Sequence, residues 1–385
     1  MPLAVYILGL TIFSLTTSEL MVAGMMPSLT TAFDTSVAQI GDLIALYALG
    51  MVLGGPLLTA GMLRLGTPNK SALLWLLGLY AVAQSVAAST DSYAIMAGAR
   101  VITGVAASAC FGAALAICAD IVGNEMRARA ASFVLGGLVL AAALGVPMAT
   151  LIDQHMGWRA SFWLVVILAV LCAVVICVIV PRSQPSTPIS LSAELREFRN
   201  GHLWTAYATS ALIIGATFAA FSYFTPILTE VAGFSTASIP WLLGSYGVAN
   251  IVGSVLVGHY ADKYTFPVMA CGLSLLTVAL IAFALFAHVA VVSLAMLLVV
   301  GLVGVTMNPA MVARVMKTAQ PGPLVHTVHA SVINIGFGMG AWLGGLGIGA
   351  GFGLRAPLWV GVLLAFFGLL SLLPYLARRA PLQVL

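Results

Sequence analysis

Three ionisable side chains, Glu19, Asp42 and Arg100, lie inside long apolar runs of this 385-residue chain. A charge in hydrocarbon costs several kcal/mol, so each is read first as part of a proton, ion or ligand site. Glu19 lies about eight residues, roughly 12 Å of helix, from the outer end of the first run, and Arg100 lies at a matching depth in the fourth. A carboxyl set among Leu15, Leu20, Val22 and Ala23 that takes up a proton when enclosed, and releases it beside water or Arg100, is a proton carrier. The alternative is a structural ion pair between Glu19 and Arg100. Asp42 sits about four residues into the second run, nearer the outer water, where it is either a further ion-handling group or a helix-start residue stabilised by the helix dipole.

A site for an uncharged aromatic or amphipathic solute needs ring faces and a few orienting polar groups. Tyr47, Phe218, Phe221, Tyr223, Tyr246, Asn250, Asn308 and Asn334 supply both, with helix packing as the alternative role. No phosphate-binding loop of Walker type and no helical His-Glu-x-x-His motif occurs. The five cysteines fall in apolar segments and read as small buried hydrophobes. These features argue against an enzyme, a cofactor and a metal centre.

The elements that position these residues follow from composition. Hydrophobic residues make up 62% and charged residues 7% of the chain, against roughly 25% charged in an ordinary soluble domain. With a mean hydropathy of +1.12, the chain reads as an all-α integral membrane protein. Twelve apolar runs of spanning length fall at 3–27, 38–62, 71–89, 94–118, 131–152, 160–180, 204–228, 239–260, 266–287, 290–312, 327–350 and 357–377. The first lacks a basic leader and a cleavage site, so it is expected to remain as a span. Arg64, Lys70, Arg127, Arg129, Arg182, Arg196, Arg199, Lys263, Arg314, Lys317, Arg378 and Arg379 fall on one side of the membrane, and only Arg159 and Arg355 on the other. The positive-inside rule therefore places both termini in the cytoplasm. Basic residues are thus spent on orientation, and nucleic acid is excluded as a partner.

The second half repeats the first at an offset of 199: Pro27 meets Pro226, Tyr47 meets Tyr246, Gly54 meets Gly253, Arg64 meets Lys263, Gly137 meets Gly336 and Gly145 meets Gly344. Two six-helix halves follow, 1–181 and 204–385, joined by a cytoplasmic linker at 182–203. A parallel repeat of this kind is a transporter plan with the site near the bilayer midplane. The mates of Glu19, Asp42 and Arg100 are Phe218, Trp241 and Val299, so the amino-terminal half is expected to handle ions.

Several segments carry a family resemblance. Thr17-Ser-Glu-Leu-Met-Val-Ala-Gly-Met-Met-Pro27, Gly54-Gly-Pro-Leu57, Gly157-Trp-Arg-Ala-Ser-Phe-Trp163 and Phe218-Ala-Ala-Phe-Ser-Tyr-Phe-Thr-Pro226 resemble the drug:proton antiporter branch of the major facilitator superfamily. Within it, they look like bacterial chloramphenicol-resistance exporters and sugar-efflux permeases. The resemblance covers essentially the whole chain. It implies a major facilitator fold, small lipophilic or amphipathic compounds such as chloramphenicol-like drugs as substrates, proton antiport and a bacterial plasma membrane, inner if Gram-negative. Protons, a small-molecule substrate and lipid are then the partners of a monomer, with no cofactor. Efflux of sugars or nucleosides, or a passive facilitator or ligand sensor, are the alternatives.

Two family motifs depart from the usual pattern. In Thr59-Ala-Gly-Met-Leu-Arg-Leu-Gly66, followed by Lys70, Leu63 stands where the family has Asp, while Gly258-His-Tyr-Ala-Asp262-Lys263 keeps the acid. The antiporter motif of the fifth helix is reduced to Gly145-Val-Pro147. The resemblance assigns conformational roles to Arg64, Gly66, Lys70, Gly145, Pro147, Asp262 and Lys263.

Overall fold

A computed structural model of the chain describes residues 1–64, 67–181, 196–318 and 323–377. Gly66 and positions 182–195 of the expected linker lie outside the described residues, as does the side chain of Arg64. Twelve helices are long and apolar enough to cross a membrane. In chain order they are α1 Leu3–Gly24, α2 Val37–Gly55, α3 Asn69–Ser89, α4 Tyr93–Ile121, α5 Arg129–Met156, α6 Trp158–Ile179, α7 Gly201–Phe221, α8 Thr236–Ala261, α9 Thr265–Phe286, α10 Ala290–Thr318, α11 Val325–Phe352 and α12 Ala356–Leu376. The described residues contain no strand. Large apolar side chains such as Trp75 and Val178 are each 79% exposed, a surface suited to lipid and costly in water.

The helices form two compact units. One holds Met1–Ile189 with Ile239–Gly244, the other Ser190–Ser238 with Ser245–Leu385. In the amino-terminal unit α2 packs on α4, α3 on α4 and α6, and α1 on α5 and α6. In the carboxy-terminal unit α7 packs on α11 and α12, and α9 on α10 and α12.

The internal repeat has a physical basis in close backbone approach. A Cβ on Gly137 would overlap the Gly9 carbonyl of α1, and a Cβ on Gly336 would overlap the Ala211 carbonyl of α7. Repeat mates therefore bring α5 against α1 and α11 against α7 in the same manner. The kinks repeat as well. Helix α1 stops at Gly24, Met25 takes φ −108°, ψ 14°, and a short helix resumes at Met26 with Pro27 in its first turn. Helix α7 stops at Phe221, Tyr223 takes φ −116°, ψ 13°, and the helix resumes through Phe224–Pro226. Proline has no N–H to give to the preceding turn and tolerates the first turn of a new helix, so Pro27 and Pro226 break each leading helix within one residue of the same place. The expected first run, 3–27, thus holds one span and the start of a second helix.

Two further boundaries differ from expectation. The fifth helix runs through a π turn at Ala141–Gly145 and continues to Met156. The tenth pauses at Gly304 and continues through Asn308–Thr318. That extension carries Arg314 into the helix, where it is 1% exposed. The expected tenth run, 290–312, stops two residues short of it.

Candidate functional site

The amino-terminal unit gathers its polar side chains around one buried cation. Arg100 on α4 is fully buried. Its Nη1 donates to the Ser18 carbonyl at 2.9 Å and to Ser18 Oγ at 3.4 Å. Nη2 donates to the Glu19 carbonyl at 3.3 Å, and Nε to the Leu43 carbonyl at 3.4 Å. The guanidinium carbon stands 4.2 Å from the Tyr47 ring centroid. A planar fork of five donors suits this task, and each carbonyl has a second lone pair to give. One side chain thereby ties α4 to α1 and α2.

Ser18 Oγ also donates to Gln84 Oε1 at 3.2 Å, extending the network to α3, while Gln84 Nε2 is buried without a hydrogen-bond partner. A buried amide left half-satisfied costs free energy and in a native structure needs a reason, such as a ligand. Glu19 keeps part of its surface open. Its carboxylate accepts no hydrogen bond among the described residues, although it lies within the field of Arg100. Arg100 therefore meets Glu19 at the backbone and leaves the carboxyl group unlatched. Among the described residues the one ion pair is Arg159 with Asp91, at a loop. Asp42 is half-buried one residue from Leu43, at the edge of this cluster.

The carboxy-terminal unit carries an aromatic cluster around Phe218, the repeat mate of Glu19. Phe218 lies 5.6 Å from Phe221 and 4.3 Å from Phe337, ring to ring. Phe221 lies 5.1 Å from Tyr246, and Phe224 bridges Tyr246 at 5.6 Å and Phe283 at 5.9 Å. The kink after Phe221 is what lets Phe218, Phe221 and Phe224 face one cluster across the break in helix periodicity. Asn250 is buried one turn beyond Tyr246, its Oδ1 without a hydrogen bond, and Asn308 Oδ1 is likewise unsatisfied. Asn334 is half-buried on α11. The Tyr223 hydroxyl donates to the Ala341 carbonyl at 2.7 Å. Tyr47 belongs to the Arg100 group.

A family model, described as Major Facilitator Superfamily, matches residues 8–329. The chain belongs to this superfamily. It is 29% identical over 380 residues to a chloramphenicol resistance protein of Streptomyces lividans, covering 97% of this chain and 96% of that one. It is 28% identical over 368 residues to the inner membrane transport protein YdhP of Escherichia coli strain K12, covering 95% and 94%. A crystal structure of a bacterial homologue of the human lysosomal transporter Spinster, inward-facing and occupied, superposes with a TM-score of 0.75 at 18% identity. It covers 98% of this chain and 97% of that one, and so shows the same fold. The protein is a multi-pass major facilitator transporter, not an enzyme.

Other residues singled out from the sequence take definite places in this superfamily fold. Lys70 Nζ donates to the Cys177 and Val180 carbonyls at 2.8 and 2.6 Å, capping the end of α6. Gly145 lies in the π turn of α5, where a Cβ would overlap Thr17 Oγ1 of α1, and Pro147 follows two residues on. Asp262 ends α8 and accepts a bond from Lys317 at its backbone carbonyl, while Lys263 lies 5.1 Å over the Tyr264 ring. Cys110, Cys118 and Cys172 are buried, whereas Cys177 and Cys271 are exposed, which corrects the reading of all five as buried.

Ser18 and Gln84 were missed in the amino-terminal unit, and Phe224, Phe283 and Phe337 in the other. A signal existed for the first: Thr11, Ser14 and Ser18 fall at i, i+3 and i+7 of α1 and are all fully buried. Two further charges are buried, Asp153 unmarked by the sequence and Arg314 counted there only toward orientation. Asp153 on α5 accepts from Ser28 at 2.7 Å, and Arg314 on α10 donates to Thr209 at 2.6 Å. Arg314 thus places a buried charge in the carboxy-terminal half as well.

Proposed function

We propose that this transporter exports small lipophilic or amphipathic compounds, chloramphenicol-like molecules among them, in exchange for protons entering the cell. The observation that carries the reading is the Glu19 carboxyl, held beside a buried guanidinium that is satisfied by backbone oxygens and so leaves the carboxyl able to gain and lose a proton. Glu19 is the carrier and Arg100 its positioning cation, with Asp42 on the path toward outer water. Phe218, Phe221 and Tyr246, with Asn250, Asn308 and Asn334, offer the ring faces and amides for substrate. Tyr47 and Tyr223 serve as supports of the two clusters.

The similarity to the chloramphenicol resistance protein supports the substrate class. The positive-inside count supports cytoplasmic termini, and the bacterial relatives support a bacterial plasma membrane; the reading is of a monomer of two six-helix bundles. Lys70, Gly145, Pro147, Asp262 and Lys263 would stabilise or permit conformational change, with Arg64 and Gly66 completing the amino-terminal motif. One charge moved inward at 100 mV contributes about 2.3 kcal/mol, enough for roughly a fifty-fold gradient of a neutral solute.

The test is accumulation of labelled chloramphenicol by inverted membrane vesicles with and without an imposed pH gradient. Gradient-driven uptake in wild type that Glu19→Gln loses, with counterflow retained, supports antiport. Equal counterflow but no gradient effect in wild type would assign a passive facilitator, and uptake of sugars or nucleosides in place of the drug would reassign the substrate.

A further inference from the structure

Asp153 is a buried acid that the reading above leaves without a task. It lies in the last turn of α5 and is 7% exposed. Its Oδ2 accepts from Ser28 Oγ at 2.7 Å, while Oδ1 is buried with no hydrogen-bond partner among the described residues. A carboxylate held in this way has one neutral donor for two oxygens, and the negative end of its own helix stands beside it.

No cation makes up the difference. Helix α6 brings Arg159 to this end of the unit, but its Nη2 is committed to Asp91 and to the Thr90 carbonyl at 3.3 Å, and its guanidinium carbon lies 4.4 Å from the Trp158 ring centroid. The other charged or titratable groups on nearby elements are Glu19 on α1, Asp34 and Asp42 at and beyond the end of the short helix Met26–Phe33, and His155 on α5 itself, exposed and two residues on. Ile239–Gly244, which join this unit, carry none. Burial without a cation disfavours the charged form, and the neutral acid leaves a polar group unpaired in place of a charge.

The partner of Asp153 sits on an element set apart by a kink. Ser28 belongs to the short helix Met26–Phe33, which begins after the break at Met25. There Met26 and Leu29 are fully buried, and Phe33 lies 5.4 Å from the Trp158 ring. Thr30 and Thr31 bond back to the Pro27 carbonyl, so among the described residues Ser28 makes the one side-chain hydrogen bond that leaves this helix. The basic-residue count puts this end of α5 on the outer side.

We propose that Asp153 is a second proton-binding group, loaded from the outer water, and that its neutral form docks the short helix. The proton comes from hydronium and rests on Oδ1, while Ser28 goes on donating to Oδ2. Loss of that proton to water leaves a buried charge, which is relieved when the helix lifts and the carboxylate is hydrated. Docking is therefore held at low outer pH and lost as pH rises. Asp153 does this whether or not Glu19 carries protons.

The experiment is infrared spectroscopy of the full chain in detergent, titrated from mildly acid to mildly alkaline pH. Hydrogen exchange of the amides in 26–33 is followed over the same range and corrected for intrinsic rates. A protonated-carboxyl band should be present at low pH, persist in Glu19→Gln and disappear in Asp153→Asn. Its persistence in Glu19→Gln separates this acid from the antiport reading. In wild type, protection of 26–33 should fall as that band titrates away. Asp153→Asn is neutral and its amide oxygen can still accept from Ser28, so it should keep the low-pH protection at every pH. If that variant does not fold, Ser28→Ala decides. The band should then stay but move to higher frequency, as a carboxyl losing a hydrogen bond does, with weaker protection of 26–33. A band unaltered by both variants would overturn the proposal, and so would pH-independent protection of 26–33 in wild type.

Discussion

Arg100 is the residue on which the amino-terminal unit is hung. Removing a buried cation strands the oxygens it served, at a cost of about 3 kcal/mol or more. Arg100→Ala should therefore lower the melting temperature of the purified protein and abolish transport. Arg100→Lys should rescue little, because an ammonium lacks the planar fork that reaches the Ser18, Glu19 and Leu43 carbonyls together. A lysine variant with wild-type melting and transport would show that only the charge matters. Glu19 and Arg100 were legible from the sequence because a charge in an apolar run is conspicuous. Their manner of meeting was not, since no sequence pattern reveals that a guanidinium will choose a backbone carbonyl over a carboxylate. Gln84 was harder still: a neutral amide in an apolar run signals little until its partner on another helix is known.

At the scale of elements, the kinked α7 and its neighbours present the aromatic cluster, and trimming it should alter which substrates are preferred. Phe218→Ala and Tyr246→Ala each remove a ring contact of about 0.5 to 1.5 kcal/mol beyond area burial. Apparent affinities should shift from a few-fold to ten-fold in a competition series, with proton coupling intact. Loss of coupling with an unchanged selectivity order would contradict the assigned division of labour.

The helix contacts make a second prediction. Gly137→Val and Gly336→Val force a side chain against the backbone of α1 and α7 respectively and should cost several degrees in melting temperature. Gly98→Ala, whose Cβ would meet nothing within 4 Å, should be neutral or slightly stabilising, as alanine is favoured over glycine in helices by about 0.8 to 1 kcal/mol. Equal melting of all three variants would mean that the repeated glycines are not packing contacts. These contacts were legible only as a repeat offset. Periodicity and length located every span, but the breaks at Met25, Tyr223 and Gly304 depend on local backbone geometry that an apolar run conceals.

For the whole molecule, the twelve-helix fold was the most legible feature, because lipid demands long apolar helices and leaves few alternatives. Orientation is a separate matter and rests on basic-residue asymmetry. Reporter fusions at either terminus should be active when the reporter requires the cytoplasm and silent when it requires export, and the reverse result would invert the topology. The central claim is that Glu19 carries a proton released when substrate binds. Its most direct test is the pH change on adding chloramphenicol to purified protein in weakly buffered detergent solution, near the pH where transport is half-maximal. Proton release by wild type that Glu19→Gln abolishes, while still binding the drug, is the predicted result. Undiminished release from a drug-binding Glu19→Gln protein would contradict it.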